Sequence, residues 1–423
     1  MKDILKELTW RGLLGEITIG INEQLKKEHN TLYIGFDPTS DSLQIGNLLP
    51  ILMLEHFHRF GHKTLIIIGG ATGLIGDPSE KHKERTLLDK EILLHNVHFI
   101  QKQLEHFFNV DKTKLLNNYD WIGNLSFLNF VRDIGKNLTV NYMMSKDSVK
   151  SRLRTKSEGI SFTEFTYQVL QAYDFYHLYI NENCRLQIGG SDQWGNIITG
   201  IELIRKITGR ITYGITFSLV TKSNGTKLGK SDNNENIWLD FRKTYPYKFY
   251  QFWLNVSDKE SSRFIKFYTL LNQEEIDHLL YNNKSPNKRI IQKTLAKNMT
   301  KWIHGQENYR KSLIVSNFLF GDPIRSLLSL DEKIFLSVFQ EIINIQIHKC
   351  LLQRGIFLIE ALTDNSGLFF SKREAIRALK EKTIYVNREK VDDKFVLNEN
   401  SIIANRYILL QKGKKNYYIL EVV

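Results

Sequence analysis

The first residues whose spacing suits chemistry are Lys227 and Lys230, which flank a glycine in GTKLGKS (Gly225–Ser231) and are followed by Ser231. Two ammonium groups on a glycine-bearing loop suit a phosphate chain whose charge grows during reaction. Lys-Gly-Lys is equally ordinary loop chemistry, and the segment is one residue too short for a P-loop. A second glycine cluster, GGATGLIGD (Gly69–Asp77), lacks the spacing of a dinucleotide fingerprint and reads as a tight turn. More telling is FTEFTYQVLQAYDFYHL (Phe162–Leu178), where Tyr167, Gln171 and Asp174 fall at i, i+4 and i+7 among Phe165, Val169, Leu170 and Phe175. A phenol, an amide and a carboxylate on an apolar helix need partners if buried. They are either satisfied polar groups at a packed or exposed edge, or the lining of a pocket for a ligand with an apolar body and polar ends.

The elements that must hold these residues alternate strand and helix. TLYIGFD (Thr31–Asp37) reads as a strand, LLPILMLEHFHRF (Leu48–Phe60) as a helix, and KTLIIIGGATGLIG (Lys63–Gly76) as a buried strand entering a turn. RLQIGGSD (Arg185–Asp192) repeats the strand-and-turn pattern. Such alternation predicts an α/β fold with a doubly wound, Rossmann-like parallel sheet. Ligands then belong at the carboxyl ends of the strands, where Gly35, Gly70 and Gly189 sit.

From about Tyr245 the chain turns helical. Between Lys284 and Lys311 there are eight basic residues and one acid, Glu307, with Arg289, Lys293, Lys297 and Lys301 repeating every fourth residue. That stripe is either a solvated face or a track for phosphates. A third unit from Arg354 carries 13 basic and 9 acidic residues. In SKREAIRALK, Arg373, Arg377 and Lys380 share one helical face, and a β-rich segment follows with turns at Asn387 and Gly413. The expected organisation is a catalytic domain over 1–222, a loop and helical domain over 223–325, a linker over 326–353, and a small α+β domain over 354–423.

Composition bounds the function classes. The 423 residues are 42% hydrophobic and 25% charged, an ordinary globular balance that excludes extended disorder and coiled coil. Only Cys184 and Cys350 are present, so neither a disulfide framework nor a cysteine zinc site is expected. The stretch around Leu65–Gly76 is too short and glycine-rich to span a bilayer, and the N-terminus lacks an apolar signal core. The cytoplasm is the expected compartment. The net charge of +12 fits either a solvated surface or a polyanionic partner, and composition alone does not choose.

Several ordered motifs together carry a resemblance. FDPTSDSLQIGNL (Phe36–Leu48) resembles the "HIGH" signature of class I aminoacyl-tRNA synthetases, and KLGKS resembles their second signature, "KMSKS". With YIGFDPT, GGATGLIGDPS, TYQVLQAYD and QIGGSDQWGN, the match is to the bacterial-type tyrosyl-tRNA synthetase family along nearly the whole chain. The C-terminal unit looks like the small αL-type RNA-binding domain that ends those enzymes.

The resemblance implies a two-step reaction. Tyrosine attacks the α-phosphate of ATP, giving tyrosyl-adenylate and pyrophosphate, and the tyrosyl group passes to the 3′-terminal adenosine of tRNA(Tyr). By position it implies that Tyr33 and Asp174 hold the substrate phenol, with Tyr167, Gln171, Asp77 and Gln193 around its ammonium group. Gly35, Asp37, Gly190 and Asp192 would lie along the adenylate and ribose, with Thr39 and the LQIGN turn (Leu43–Asn47), including Gly46, near the phosphates. Lys227, Lys230 and Ser231 would close over pyrophosphate, with Lys81 and Arg85 on a neighbouring loop. It also implies Mg2+ accompanying ATP without a protein metal site, and a homodimer with the segment Phe130–Met144 as contact. The basic stripe and face become candidates for tRNA phosphates. Gln44 and Asn47 replace the signature's two histidines, keeping hydrogen-bond donors without positive charge; Leu228 and Gly229 replace Met and Ser. The rival expectations are a tryptophanyl-tRNA synthetase, disfavoured by Tyr33 with Asp174, and an RNA-binding protein that has lost catalysis, favoured only by Gln44.

Overall fold

A computed structural model describes residues 3–27, 29–77, 87–108, 113–146, 149–150, 160–220, 228, 236–282, 288–320, 344–365, 368–369, 371–403, 406–413 and 416–423. They form two units, Met1–Thr244 with Phe252–Met299, and Tyr245–Gln251 with Thr300–Val423.

The first unit is built on six strands: β1 (Leu14–Ile17), β2 (Thr31–Phe36), β3 (Lys63–Ile68), β4 (Thr113–Asn117), β5 (Cys184–Gly190) and β6 (Tyr213–Phe217). Their order is β1-β6-β5-β2-β3-β4; β2 to β6 run parallel, and β1 closes one edge antiparallel to β6. The near-continuous apolar run of β3, buried from Thr64 to Ile68, is what a strand covered on both faces requires. The doubly wound sheet expected from the sequence is therefore present. Its winding proceeds outward from β2 through β3 to β4, then restarts on the other side with β5 and β6. The reversal between β2 and β5 opens a crevice at their carboxyl ends.

One helix crosses this region. Phe162–Glu182 starts where Ser161 Oγ accepts the Glu164 N–H at 3.2 Å and stops at Asn183, whose φ of 50° is left-handed. Its Phe175 and Leu178 pack with Tyr33, Leu65, Ile67, Cys184 and Ile204 in one core cluster. The face bearing Tyr167 and Asp174 is thereby drawn down onto β2 and β5, both residues being buried.

A buried cation fixes the edge of this unit. Arg11, only 2% exposed, pairs with Glu7 and donates to the carbonyl oxygens of Lys266 (2.7 Å), Thr269 (2.8 Å) and Leu271 (2.5 Å). Lys266 and Thr269 belong to the last turn and cap of the Asp258–Tyr268 helix, whose carbonyls have no partner within the helix.

In the second unit, β7 (Asn344–Ile347), β8 (Ile356–Phe357), β9 (Ile384–Val386), β10 (Glu389–Lys390), β11 (Val396–Leu397), β12 (Tyr407–Lys412) and β13 (Asn416–Val422) form a five-stranded sheet, β10-β9-β12-β13-β7, and a two-stranded one, β11-β8. Asn387 and Arg388, with φ of 48° and 72°, make the tight β9–β10 turn. The helix Lys372–Lys380, capped by Ser371, buries Ala375 and Leu379 against this core and leaves Arg373, Arg377 and Lys380 exposed.

The basic stripe departs from the expected continuous helix. Arg289 has φ of 50°, so the helix begins at Ile290 and only the Arg289 carbonyl joins it, accepting the Lys293 N–H at 2.9 Å. A left-handed residue cannot continue a right-handed helix backwards, which sets Arg289 off the stripe.

Replacing Arg11 by Met should lower the unfolding free energy by about 3 kcal/mol, because the change strands buried carbonyls. Arg11→Lys should recover only part of this, since an ammonium lacks the planar fork. Urea denaturation of the three proteins checks it: equal midpoints would show that the guanidinium bonds are dispensable.

Candidate active site

The crevice between β2 and β5 holds a cavity of about 350 Å³. Its lining includes all six residues expected around the amino acid: Tyr33, Asp77, Tyr167, Gln171, Asp174 and Gln193. It also includes Gly35, Asp37, Thr39, Gly46, Gly190 and Asp192 from the nucleotide set, and Asn47 from the first signature. Glycine matters at two of these strand ends. A Cβ at Gly69 would overlap Asp37 Oδ1, so glycine there is required by the protein itself. A Cβ at Gly35 would meet no atom within 4 Å; the space it opens is cavity.

At one end lies the carboxylate of Asp174, 4% exposed. Asn118 Nδ2 donates to Asp174 Oδ2 at 3.0 Å and Trp121 Nε1 donates to Oδ1 at 2.7 Å. Burial raises its pKa to about 7 although both donors favour the ionised form. Tyr33 Oη is buried and makes no hydrogen bond to the described residues. Burial, then the Asp174 charge, pushes its pKa well above that of a free phenol, so it remains a donor at neutral pH. A buried hydroxyl without a partner beside a carboxylate is costly unless something else completes it.

The polar lining continues from this end to the other. Asn118 Nδ2 also donates to Thr72 Oγ1 (3.1 Å), which donates to Asp37 Oδ1 (2.8 Å); Tyr167 Oη donates to Asp37 Oδ2 at 2.7 Å. The expected ribose ligand Asp37 is thus also the anchor of Tyr167. A second network joins Gln171 Nε2 and Asn196 Nδ2 to Gln193 Oε1, and Gln193 Nε2 to Asp77 Oδ2 (2.7 Å) and Asp192 Oδ2 (3.0 Å). Two carboxylates within reach of one amide make this wall attractive to a cation.

The first signature forms a turn entering the helix Leu48–Arg59. Asn47 Oδ1 accepts the Gln44 backbone N–H at 2.9 Å, which commits the carbonyl side of the amide and leaves its Nδ2 donors. Gln44 does not line the cavity; its backbone bridges to Trp238. The Leu228 carbonyl oxygen, within the second signature, would stand 3.2 Å from a Cβ at Gly46. Lys81, Arg85, Lys227, Lys230 and Ser231 lie outside the described residues.

None of the seven basic residues expected to meet tRNA lines the cavity. Lys293, Lys297, Arg373, Arg377 and Lys380 are exposed, with Arg377 paired to Glu381 at 2.9 Å. Arg289 and Lys301 are half-buried, Lys301 Nζ standing 5.3 Å from the Tyr309 ring centroid. The described residues hold no group of three His, Cys, Asp or Glu placed for a metal ion, and no helix among them is long and apolar enough to cross a membrane.

Sequence reasoning missed Asn118, Trp121, Thr72 and Asn196. The only signal for the first two is NNYDWIG (Asn117–Gly123) directly after a strand, where a sheet of this topology places ligands.

Residues 25–321 match the family model for tRNA synthetases class I (W and Y), and residues 338–420 match that for the tyrosine–tRNA ligase SYY-like C-terminal domain. The tyrosine–tRNA ligase of Flavobacterium johnsoniae is 48% identical over 432 residues, covering 100% of both chains. That of Parabacteroides distasonis is 48% identical over 427 residues, covering 99% of both. A C-terminally truncated mitochondrial tyrosyl-tRNA synthetase from Aspergillus nidulans superposes with a TM-score of 0.68 at 27% identity, covering 76% of this chain and 95% of that one. A tryptophanyl-tRNA synthetase from Encephalitozoon cuniculi shares the fold, with a TM-score of 0.54 at 14% identity over 72% of this chain and 86% of its own. With family models covering both its units and full-length relatives at nearly half identity, the chain belongs to the tyrosine–tRNA ligases of the class I aminoacyl-tRNA synthetase family.

Proposed function

We propose that the β2–β5 cavity activates L-tyrosine with ATP and then transfers the tyrosyl group to the 3′-terminal adenosine of tRNA(Tyr). The observation that carries this reading is the Tyr33 hydroxyl, buried beside Asp174 with no hydrogen bond to the described residues. A substrate phenol accepts from the first and donates to the second. The Asp77, Gln171 and Gln193 wall takes the ammonium group, and Gly35, Asp37, Gly190 and Asp192 line the path of the adenylate.

No nucleophilic side chain is required, because the substrate carboxylate attacks the α-phosphate and pyrophosphate leaves. The protein's work is positioning and stabilising charge that builds on the phosphates. Asn47, Gln44 and Thr39 are assigned to the phosphates, and Lys227, Lys230 and Ser231, with Lys81 and Arg85, to the leaving pyrophosphate. The Leu228 carbonyl against Gly46 supports bringing the two signatures together. Mg2+ would be held by the ATP phosphates. A homodimer in the cytoplasm completes the proposal; exposed Val131 and Val140 in the segment Phe130–Met144, with exposed Phe127 and Leu128 just before it, supply an apolar contact for the second copy.

Tyrosine-dependent pyrophosphate exchange tests the function. The protein should activate tyrosine and reject phenylalanine, which would leave Tyr33 and Asp174 unsatisfied; tyrosyl-tRNA synthetases are themselves the standing example of such discrimination. Comparable exchange with both amino acids would sink the assignment.

The Asp174 value of about 7 sets a pH dependence. Below it the group is protonated and no longer accepts the phenol proton as a carboxylate does. The KM for tyrosine should therefore rise as pH falls through about 7, approaching about tenfold per unit, and level off above it. A profile flat from pH 6 to 8 would place the phenol elsewhere.

For the tRNA step, replacing Arg373 and Lys380 by Ala in the full chain should leave pyrophosphate exchange unchanged. The slope of log tRNA affinity against log salt should fall by about 0.7 to 0.9 for each phosphate that the protein no longer neutralises. An unaltered slope would remove this face from the tRNA-binding surface.

A further inference from the structure

The Asp174 carboxylate is held by two donors of different security. Asn118 is 1% exposed and fixed on three sides, its Oδ1 accepting the Ala71 N–H at 2.7 Å while Nδ2 serves Asp174 and Thr72. Trp121 has no such enclosure. It sits on a four-residue helix, Tyr119–Ile122, that buries no residue, and its indole is partly open to solvent. A side chain on so short a helix is not held by its own backbone.

The indole packs at the margin of the cluster around Tyr33, Leu65 and Phe175, and its flat face is covered by His177. The two rings stack with centroids 4.4 Å apart and planes 10° from parallel. His177 lies three residues after Asp174 in the Phe162–Glu182 helix, so both project from one face. That face grips the indole twice, by its edge at Asp174 and by its plane at His177. Neither Trp121 nor His177 lines the cavity, so neither contacts a ligand there.

We propose that His177 is a positioning residue for amino-acid selection: by stacking on Trp121 it keeps the indole Nε1–H on Asp174 and so fixes the carboxylate that receives the substrate phenol. The proposal rests on the reading of Asp174 as the phenol site. Burial lowers the His177 pKa against the opposing pull of Glu182, so the stacked ring is neutral at neutral pH, and flatness rather than charge is what the contact uses.

The test is steady-state pyrophosphate exchange by the full-length protein and its His177→Ala, His177→Phe, His177→Leu and Trp121→Phe variants, with tyrosine and ATP varied separately. Loss of a stacked ring pair corresponds to a change of about threefold to tenfold. His177→Ala should raise the tyrosine KM by that factor, narrow the preference for tyrosine over phenylalanine, and leave kcat and the ATP KM unchanged. His177→Phe should restore the wild-type value, whereas His177→Leu, which fills the space without a flat ring, should not. Adding His177→Ala to Trp121→Phe should cost nothing further, because both act through one hydrogen bond. A wild-type tyrosine KM in His177→Ala beside a raised one in Trp121→Phe would overturn the clamp while keeping Asp174 as the phenol site. No change in either variant, nor in Asp174→Asn, would instead overturn the phenol-site reading. Equal losses in kcat and both KM values would mark His177 as a general packing residue and also overturn the proposal. If His177→Ala does not fold, His177→Leu decides, a wild-type tyrosine KM counting against the clamp.

Discussion

Placing one carboxylate inside an apolar sheet-and-helix interface is the constraint around which the site is arranged. Asp174 is buried with an amide and an indole as its hydrogen-bond donors. Two neutral donors offset only part of the desolvation, which is why the group titrates near neutrality instead of near 4. Asn118 is tied to Ala71 and Thr72, and Thr72 to Asp37. The same chain of bonds reaches Tyr167, so the Asp174 end of the cavity is mechanically continuous with the Asp37 end.

The sheet supplies the frame for this continuity. Parallel strands present their carboxyl ends together, and the reversal between β2 and β5 leaves those ends uncovered. Tyr33 and Asp37 arrive from β2, Thr72 from the turn after β3, Asn118 and Trp121 from the segment after β4, and Asp192 and Gln193 from the turn after β5. The helix Phe162–Glu182 then lies across them and contributes Tyr167, Gln171, Asp174 and His177 at helical spacing. No single element carries the site, yet each carries one compact part of it.

Charge is distributed on a different logic. Among the described residues the carboxylates of the cavity accept from amides, hydroxyls and an indole, whereas Lys293, Lys297, Arg373 and Lys380 stand in solvent. Solvated cations cost little to keep and gain by releasing counterions from a polyanion. A buried polar cavity and an exposed basic surface, sharing no residue, can therefore change independently.

Much of this was legible in the sequence because periodicity and strand ends are local properties. The spacing of Tyr167, Gln171 and Asp174 placed them on one helical face, and the strand-and-glycine pattern at Gly35, Gly70 and Gly189 marked the ends of parallel strands. Those inferences need only 3.6-residue and two-residue repeats. The partners of Asp174 were not legible: Asn118 and Trp121 lie more than fifty positions away and belong to no repeat. They reach it because β4 pairs with β3, so the chain leaving β4 passes over the same crevice. The stack of His177 on Trp121 was hidden for the same reason. The regular spacing of Arg289, Lys293, Lys297 and Lys301 likewise promised one helical stripe, but a left-handed φ at Arg289 starts the helix one residue later. Sequence determined which residues share a face, since the backbone repeat decides that; tertiary structure decided which faces meet, because only the packed sheet sets the distances over which a buried carboxylate finds its donors.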